Sequence, residues 1–230
     1  SQVPGPRGWA LQTRRYEAVD GGELVVIRTF DGSGKPTRRV VDGVARVDER
    51  RDALGRVTTR AVFDANESPT VEGEARAHRV EHTYDEAGRQ LSTAWFGVGD
   101  RPCTHPVFGV HRRERTYDDA GHETALAYRD GLGALRAGSE GWARRVKRYN
   151  ASGQVEVIAF EGPDGQPVGR AEDGVARLFH FYGLKGRLMQ VASSGATGQP
   201  IARVGGFARE VWEYDDQGRV SAEAWFDFIE

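Results

Sequence analysis

Short runs of apolar residues mixed with polar ones recur along the whole chain, and each run is about as long as a β-strand. Clusters of glycine with aspartate or asparagine separate the runs, which is typical of turns. The best helical stretch, residues 130–138, is short and rich in glycine. The pattern therefore predicts an all-β fold. Alternation within the runs is imperfect, so the sequence leaves open which face of the strands forms the core.

A fixed spacing divides the chain into copies of one unit. The units begin near residues 8, 43, 76, 109, 141, 174 and 206, so the steps between them run from 32 to 35 residues. Most units open with glycine, an apolar residue and alanine, and an arginine follows three residues after the glycine. Self-similarity at such a period is the signature of a repeat protein. We therefore expect residues 8–230 to form a single repeat domain, and residues 1–7 to be a linker or a trimmed edge.

Four residue types keep a constant place inside the unit. The recurrent tyrosine is found at Tyr16, Tyr84, Tyr117, Tyr149, Tyr182 and Tyr214. A turn glycine follows at Gly55, Gly88, Gly121, Gly153, Gly186 and Gly218. Alanine comes six residues later, at Ala61, Ala94, Ala127, Ala159, Ala192 and Ala224. The recurrent arginine occupies Arg46, Arg79, Arg112, Arg144, Arg177 and Arg209.

The turn glycine predicts a β-hairpin in each unit. In most of these turns aspartate or asparagine stands three residues before the glycine, which is typical of a type I turn closed by a left-handed residue in a G1 bulge. This turn pairs the aspartate with the residue after the glycine, and the resulting opposite-charge pairs are Asp52 with Arg56, Asp85 with Arg89 and Asp215 with Arg219. The same register predicts that the recurrent alanine shares a face with the tyrosine, and that the arginine lies on the opposite face.

Seven such hairpins predict about fourteen strands. We expect them to form one twisted antiparallel sheet, either elongated or curled into a barrel or cocoon, because a sheet of that width rarely stays flat. A second turn carrying proline in most units ends each hairpin, since proline cannot donate to a strand ladder.

The turn sequences carry a family resemblance. YDEAGR (84–89), YDDAGH (117–122), YNASGQ (149–154) and YDDQGR (214–219) resemble bacterial YD or RHS repeats and, more loosely, MORN-type hairpin repeats. The unit here, about 33 residues long, is longer than a YD repeat. The resemblance implies a β structure that forms a shell around a toxin or mediates surface contact. It implies no catalytic residues.

Composition excludes several classes of protein. The chain has 32 Lys and Arg against 34 Asp and Glu, a net charge of -2, so no global field favours nucleic acid. The lone Cys103 excludes an internal disulfide framework, and its neighbour His105 makes a nucleophile–base pair conceivable, although a proline-flanked loop explains both residues. No apolar run is long enough to predict a membrane span. We expect no metal and no cofactor.

Two sets of side chains are candidates for binding. Basic residues cluster on the first strands of two adjacent units, where stacked units would align them in one positive stripe: Arg112, Arg113, Arg115, Arg144, Arg145, Lys147 and Arg148. Tryptophans offer flat rings on which a sugar could stack, at Trp95, Trp142 and Trp225. A solvated sheet face is the plainer interpretation of the charges, because charged side chains also protect sheets from aggregation.

The array indicates a non-catalytic module of a bacterial protein that binds a protein partner or acts as a scaffold, since stacked repeats offer broad, modular surfaces. A carbohydrate or cell-envelope component is an alternative partner. Nucleic acid bound through the central arginine-rich stripe is a further alternative, against which the negative net charge argues. The sequence assigns no compartment.

Overall fold

The computed structural model describes residues 11–39 and 43–227, and these residues contain strands, turns and loops but no helix. Fourteen antiparallel strands follow one another in the sheet in chain order, which confirms the predicted all-β architecture of tandem hairpins. The strands are β1 (Leu11–Val19), β2 (Gly22–Phe30), β3 (Arg46–Asp52), β4 (Val57–Phe63), β5 (Arg79–Tyr84), β6 (Gln90–Phe96), β7 (Arg112–Tyr117), β8 (Glu123–Arg129), β9 (Arg144–Tyr149), β10 (Val155–Glu161), β11 (Arg177–Tyr182), β12 (Leu188–Ser194), β13 (Arg209–Tyr214) and β14 (Val220–Phe226). The predicted linker, residues 1–7, and the first unit start near residue 8 lie outside the described residues.

The chain divides into two compact units, with the division between Arg113 and Glu114. In the first unit, Val44, Val47 and Val62 form a buried cluster against which Ile27 packs. Val47 and Val62 face each other across β3 and β4. Burial of such side chains contributes about 1.5–3 kcal/mol each. This cluster marks the side of β3 and β4 that forms the core, which the sequence left open.

In the second unit the core is aromatic. The Trp142 and Tyr128 rings stack with centroids 4.5 Å apart, and Phe160 lies 5.7 Å from Trp142. Val175 is fully buried. Offset aromatic contacts of this kind add about 0.5–1.5 kcal/mol to the burial of the rings.

The tight turns have the predicted geometry. In the turn of β5 and β6, Gly88 has φ of 84°, and its amide donates to the Asp85 carbonyl at 3.0 Å. The left-handed backbone at this position favours glycine because a Cβ would crowd the following carbonyl. The Asp85 carboxylate also lies 2.6 Å from Nε of Arg89. The corresponding ion pairs Asp52–Arg56 and Asp215–Arg219 are present as well, at 2.6 and 2.8 Å.

The glycine that opens most units has a similar backbone role. Gly109 has φ of 71°, and Arg76, which replaces the glycine in the degenerate copy, keeps a left-handed φ of 48°. Arginine pays a conformational penalty there that glycine avoids. The repeat is therefore preserved in the backbone where the sequence has lost its signature.

In five hairpins a bulge beside the tight turn changes which residues share a face. Arg51 pairs with Val57, but Arg50 pairs with Thr59, so one residue of the second strand has no partner. Because side chains alternate, a shift of one residue moves all later side chains to the other face. Ala61 consequently lies opposite Asp48, on the face that carries Arg46. The prediction that alanine shares a face with tyrosine was wrong. We call the two sides of each hairpin the arginine face and the tyrosine face.

The connection between hairpins continues beyond the predicted second turn and folds back along the second strand. Phe63 forms a bridge with Pro69, and the Thr70 amide donates to the Val62 carbonyl at 3.1 Å. The Val62 amide donates in turn to the carbonyl of His78 in the next repeat, at 3.0 Å. Both backbone groups of Val62 are thereby satisfied, which permits its burial. The connection therefore runs beside Val62, a buried residue of the tyrosine face.

Candidate functional site

Strand alternation divides the predicted basic stripe between two faces. Neighbouring residues in a strand point to opposite sides. In β7, Arg112 lies on the arginine face, whereas Arg113 and Arg115 lie on the tyrosine face. In β9, Arg144 and Arg148 lie on the arginine face, and Arg145 and Lys147 lie on the tyrosine face. The seven basic residues therefore do not form one stripe.

Glu123 holds three cations of the tyrosine face. Its carboxylate lies 2.7 Å from Arg145 Nη2, 3.1 Å from Lys147 Nζ and 3.3 Å from Arg115 Nε. Burial opposes the charge on Glu123, but hydrogen bonds from Arg145 and Lys147 outweigh it and lower the pKa of the carboxyl. These cations serve an internal ion network, which leaves them less able to attract an outside anion.

The predicted tryptophans differ in exposure. Trp95 and Trp142 are only 5% and 2% exposed, and a covered ring cannot stack on a sugar. Trp225 is 49% exposed, and its Nε1 donates to Glu210 at 3.0 Å. Of these three rings, Trp225 alone keeps the open face that a carbohydrate platform needs.

The recurrent arginines of the arginine face are mostly engaged by the last residue of the second strand. The guanidinium groups of Arg46 and Arg79 lie 4.1 and 4.0 Å from the ring centroids of Phe63 and Phe96. This geometry follows from the register, which places each arginine directly opposite that residue. Cation–π contacts of this kind are worth about 0.5–1 kcal/mol when exposed.

The pattern continues in the second unit with one departure. Arg209 stacks over Phe226 at 4.0 Å, and Arg144 lies 3.2 Å from Glu161. Arg177 faces Ser194 instead, which is too short to stack on it or to neutralise it. Arg112 also contacts another residue. Among the described residues, Arg177 is therefore the recurrent arginine that makes no hydrogen bond, ion pair or ring contact through its side chain.

Arg148 likewise has no side-chain partner among the described residues, and it is exposed. It lies on β9, on the same face as Val146. Strand β10 joins these residues to Arg177 through two cross-strand rows. One row runs Arg148–Val157–Phe179, and the other runs Val146–Ala159–Arg177.

These two rows line a groove of about 430 Å³ on the arginine face. The arginines occupy opposite corners, and between them lie four apolar residues that are only half-buried: Val146, Val157, Ala159 and Phe179. Glu161 also lines the groove, but its carboxylate is held by Arg144. We call this surface the Arg148–Arg177 groove. Only Arg148 of its residues was predicted as a binding residue.

A neighbouring groove on the same face lacks free charges. It measures about 300 Å³ and has a floor that includes Ala125 and Ala127. Its cations are occupied, because Arg129 forms an ion pair with Glu114, and Arg144 pairs with Glu161. The small residues alone thus do not distinguish the Arg148–Arg177 groove; its unpaired arginines do.

A third cavity, of about 310 Å³, lies beside Trp142 and Phe160. Its charged lining is also paired, since Arg170 contacts Asp173 and Arg145 contacts Glu123. Within residues 11–39 and 43–227, no group of three or more His, Cys, Asp or Glu side chains is arranged to hold a metal ion. The same residues include no helix of the length and apolarity needed to cross a membrane.

Comparison with known proteins gives weak structural similarities. No family model and no curated protein matches the sequence. The crystal structure of TcdB2-TccC3-Cdc42 is similar over 87% of this chain, with 13% sequence identity and a TM-score of 0.19, and the match covers 13% of that chain. The crystal structure of TcdB2-TccC3 gives 14% identity, the same TM-score and the same share of this chain, and 14% of that chain is covered. This chain thus spans a small part of the proteins that it matches.

Proposed function

We propose that the chain is a non-catalytic repeat module that binds a protein partner through the arginine face of its hairpins. The observation that carries this proposal is the Arg148–Arg177 groove, where half-exposed apolar side chains lie between two unpaired arginines. Protein-binding surfaces typically combine an apolar centre with polar residues at the rim, and arginine is enriched in them.

The rest of the protein supports this choice of surface. On the tyrosine face, Val62 and Trp142 are buried, and ion pairs occupy the cations around Glu123. The neighbouring groove over Ala127 has its cations paired. A partner gains most binding free energy where apolar surface is exposed and where charged side chains have no partner within the protein. Both conditions are met in the Arg148–Arg177 groove.

Photocrosslinking tests this function. Val157 is replaced by benzoylphenylalanine in the full chain, and the protein is screened against an unbiased library of short peptides. The control carries the same photoreactive residue at Leu184, which is exposed in the turn between β11 and β12. The expected result is that selected peptides crosslink at position 157 and not at position 184. Absence of selected peptides, or crosslinking at position 184 alone, contradicts the proposed function.

A further inference from the structure

We propose that the Arg148–Arg177 groove recognises an extended peptide with the pattern acidic–x–apolar–x–acidic. This inference rests on the proposed function and specifies the chemistry of the partner. It starts from the two arginines, whose guanidinium groups have no partner among the described residues. An unpaired arginine beside an apolar surface is a strong site for a carboxylate, because the charge-assisted hydrogen bonds can be bidentate.

The sequence explains why Arg177 is free. The position opposite the recurrent arginine is Phe63, Phe96, Glu161 or Phe226 in four other hairpins, and it is Ser194 here. The residue two places after the arginine is Asp48 in one of those hairpins, where it accepts a hydrogen bond from Arg46 at 2.6 Å; here it is Phe179. Compared with those hairpins, Ser194 and Phe179 thus deprive Arg177 of both the cross-strand partner and the acidic partner on its own strand, and Phe179 adds an apolar ring beside it.

The lattice of the sheet sets the spacing of the two charges. Arg148 and Arg177 are two strands apart and two residues apart along the strand direction. Adjacent strands lie about 4.8 Å apart and the rise is about 3.4 Å per residue, so the two Cα atoms are about 12 Å apart. In an extended peptide, residues i and i+4 point to the same side and are about 13 Å apart.

The apolar floor of the groove determines which residue of the peptide stands between its two acidic residues. Val157 and Ala159 are adjacent positions on the arginine face of β10, at the centre of the lattice. Residue i+2 of the peptide points to the same side as residues i and i+4, so it meets this floor. An apolar side chain at i+2 buries area against Val157 and Ala159, whereas a polar one would lose hydration without gaining a hydrogen bond.

The same features favour a peptide over nucleic acid. A nucleic-acid groove needs a continuous run of cations along the phosphate backbone. Here the two arginines are separated by four apolar residues, and the cations Arg145 and Lys147 point to the other face, where Glu123 holds them. An acidic peptide with one central apolar side chain matches both the charges and the floor.

The test measures binding of a labelled peptide with the core Glu-Ser-Leu-Ser-Glu to the full chain by fluorescence anisotropy. We expect Arg148→Glu and Arg177→Glu each to weaken binding by about tenfold or more, because each removes a charge-assisted hydrogen bond. The matched control is Arg209→Glu, which changes the same repeat position where the arginine stacks on Phe226. It should leave the affinity within about twofold. Circular dichroism melts confirm that each variant is folded.

Peptide variants test the pattern itself. A core with both glutamates changed to glutamine, and one with the two glutamates adjacent, should each bind about tenfold or more weakly. The inference is overturned if either variant peptide binds as tightly as the Glu-Ser-Leu-Ser-Glu peptide. It is also overturned if the Arg148→Glu or the Arg177→Glu protein binds that peptide as tightly as the wild type does. Arginine-dependent binding of a single-stranded oligonucleotide in preference to the peptide overturns it in favour of nucleic acid. Library peptides that crosslink at position 157 independently of both arginines leave the proposed function standing and overturn the acidic pattern alone.

Discussion

Glu123 shows how one side chain determines the state of a local cluster of charges. It begins β8, and Arg115, Arg145 and Lys147 converge on its carboxylate. The Glu123 side chain is about one-fifth exposed (21%), so water screens these pairs only in part. Removing the shared acceptor from several part-buried cations is costly, because each cation then lacks the partner that offset its desolvation.

Substitution Glu123→Gln should lower the free energy of unfolding at neutral pH by about 1–3 kcal/mol. The pKa of the carboxyl is lowered in the folded state from its usual 4.5, so its stabilising effect is full above that value and is lost as the pH falls through the folded pKa. Urea titrations at several pH values should therefore show the variant and the wild type converging in acid. Glu156→Gln, at an exposed position of β10, is the control and should change little. A difference in the free energy of unfolding between the wild type and Glu123→Gln that stays the same in acid contradicts this explanation.

The residues of the groove were only partly predictable. The spacing identified Arg177 as a member of the recurrent column, but its lack of a partner depends on facing Ser194 across the sheet. The bulge beside the turn shifts the register predicted from the turn by one residue, so the sequence alone does not place Ser194 opposite Arg177. Likewise, the clusters around Arg113 and Arg145 are continuous in the sequence, but neighbouring residues of a strand point to opposite faces, so the predicted single stripe is divided in the structure. The missed signal was the serine at a position that is aromatic or acidic in four other hairpins.

At the scale of the hairpin, the recurrent tyrosine joins four of the units to the unit before each of them. The Tyr182 hydroxyl donates to the carbonyl of Val155, the first residue of β10, at 2.9 Å. Tyr84, Tyr149 and Tyr214 make the same bond, at 2.8–2.9 Å, to the first residues of β4, β8 and β12. Burial raises the pKa of Tyr182, in accord with its hydroxyl remaining a donor.

Replacing Tyr182 by phenylalanine should lower the free energy of unfolding by about 1 kcal/mol, because the Val155 carbonyl loses its donor while the ring is kept. The control is Tyr16→Phe, since Tyr16 has the same place in the repeat but is 57% exposed. That variant should stay within about 0.5 kcal/mol of the wild type. Chemical denaturation of both variants provides the measurement, and equal effects of the two substitutions would show that the hydroxyl bond is not the cause.

The strands and tight turns were predicted from the spacing of tyrosine and glycine, because only glycine readily adopts the turn conformation at Gly88. The bulge that follows could not be predicted in this way. The unpaired residue of the second strand has an ordinary backbone and is of a different type in each hairpin: Thr58, Leu91, Glu156, Met189 and Ser221. No residue type is required there, so no signal appears in the sequence, and the predicted faces were inverted beyond it.

For the whole molecule, the near balance of charge says little about binding, because most cations are neutralised locally. In the turn pairs, in the Glu123 cluster and in the stacked arginines, each cation contacts another side chain of the same protein. What matters for a partner is where a charge remains unpaired beside open apolar surface. In the part of the chain that the structure describes, the Arg148–Arg177 groove meets that condition.

A charge exchange tests this central claim most directly. The double variant Arg148→Glu, Arg177→Glu is titrated with a peptide whose two glutamates are replaced by lysine, and the wild type is titrated with the same peptide. The account predicts that the double variant binds the lysine peptide within about tenfold of the affinity of the wild type for the glutamate peptide, while the wild type binds it far more weakly. Failure of the double variant to bind the lysine peptide, or equal binding of both peptides by the wild type, would contradict it.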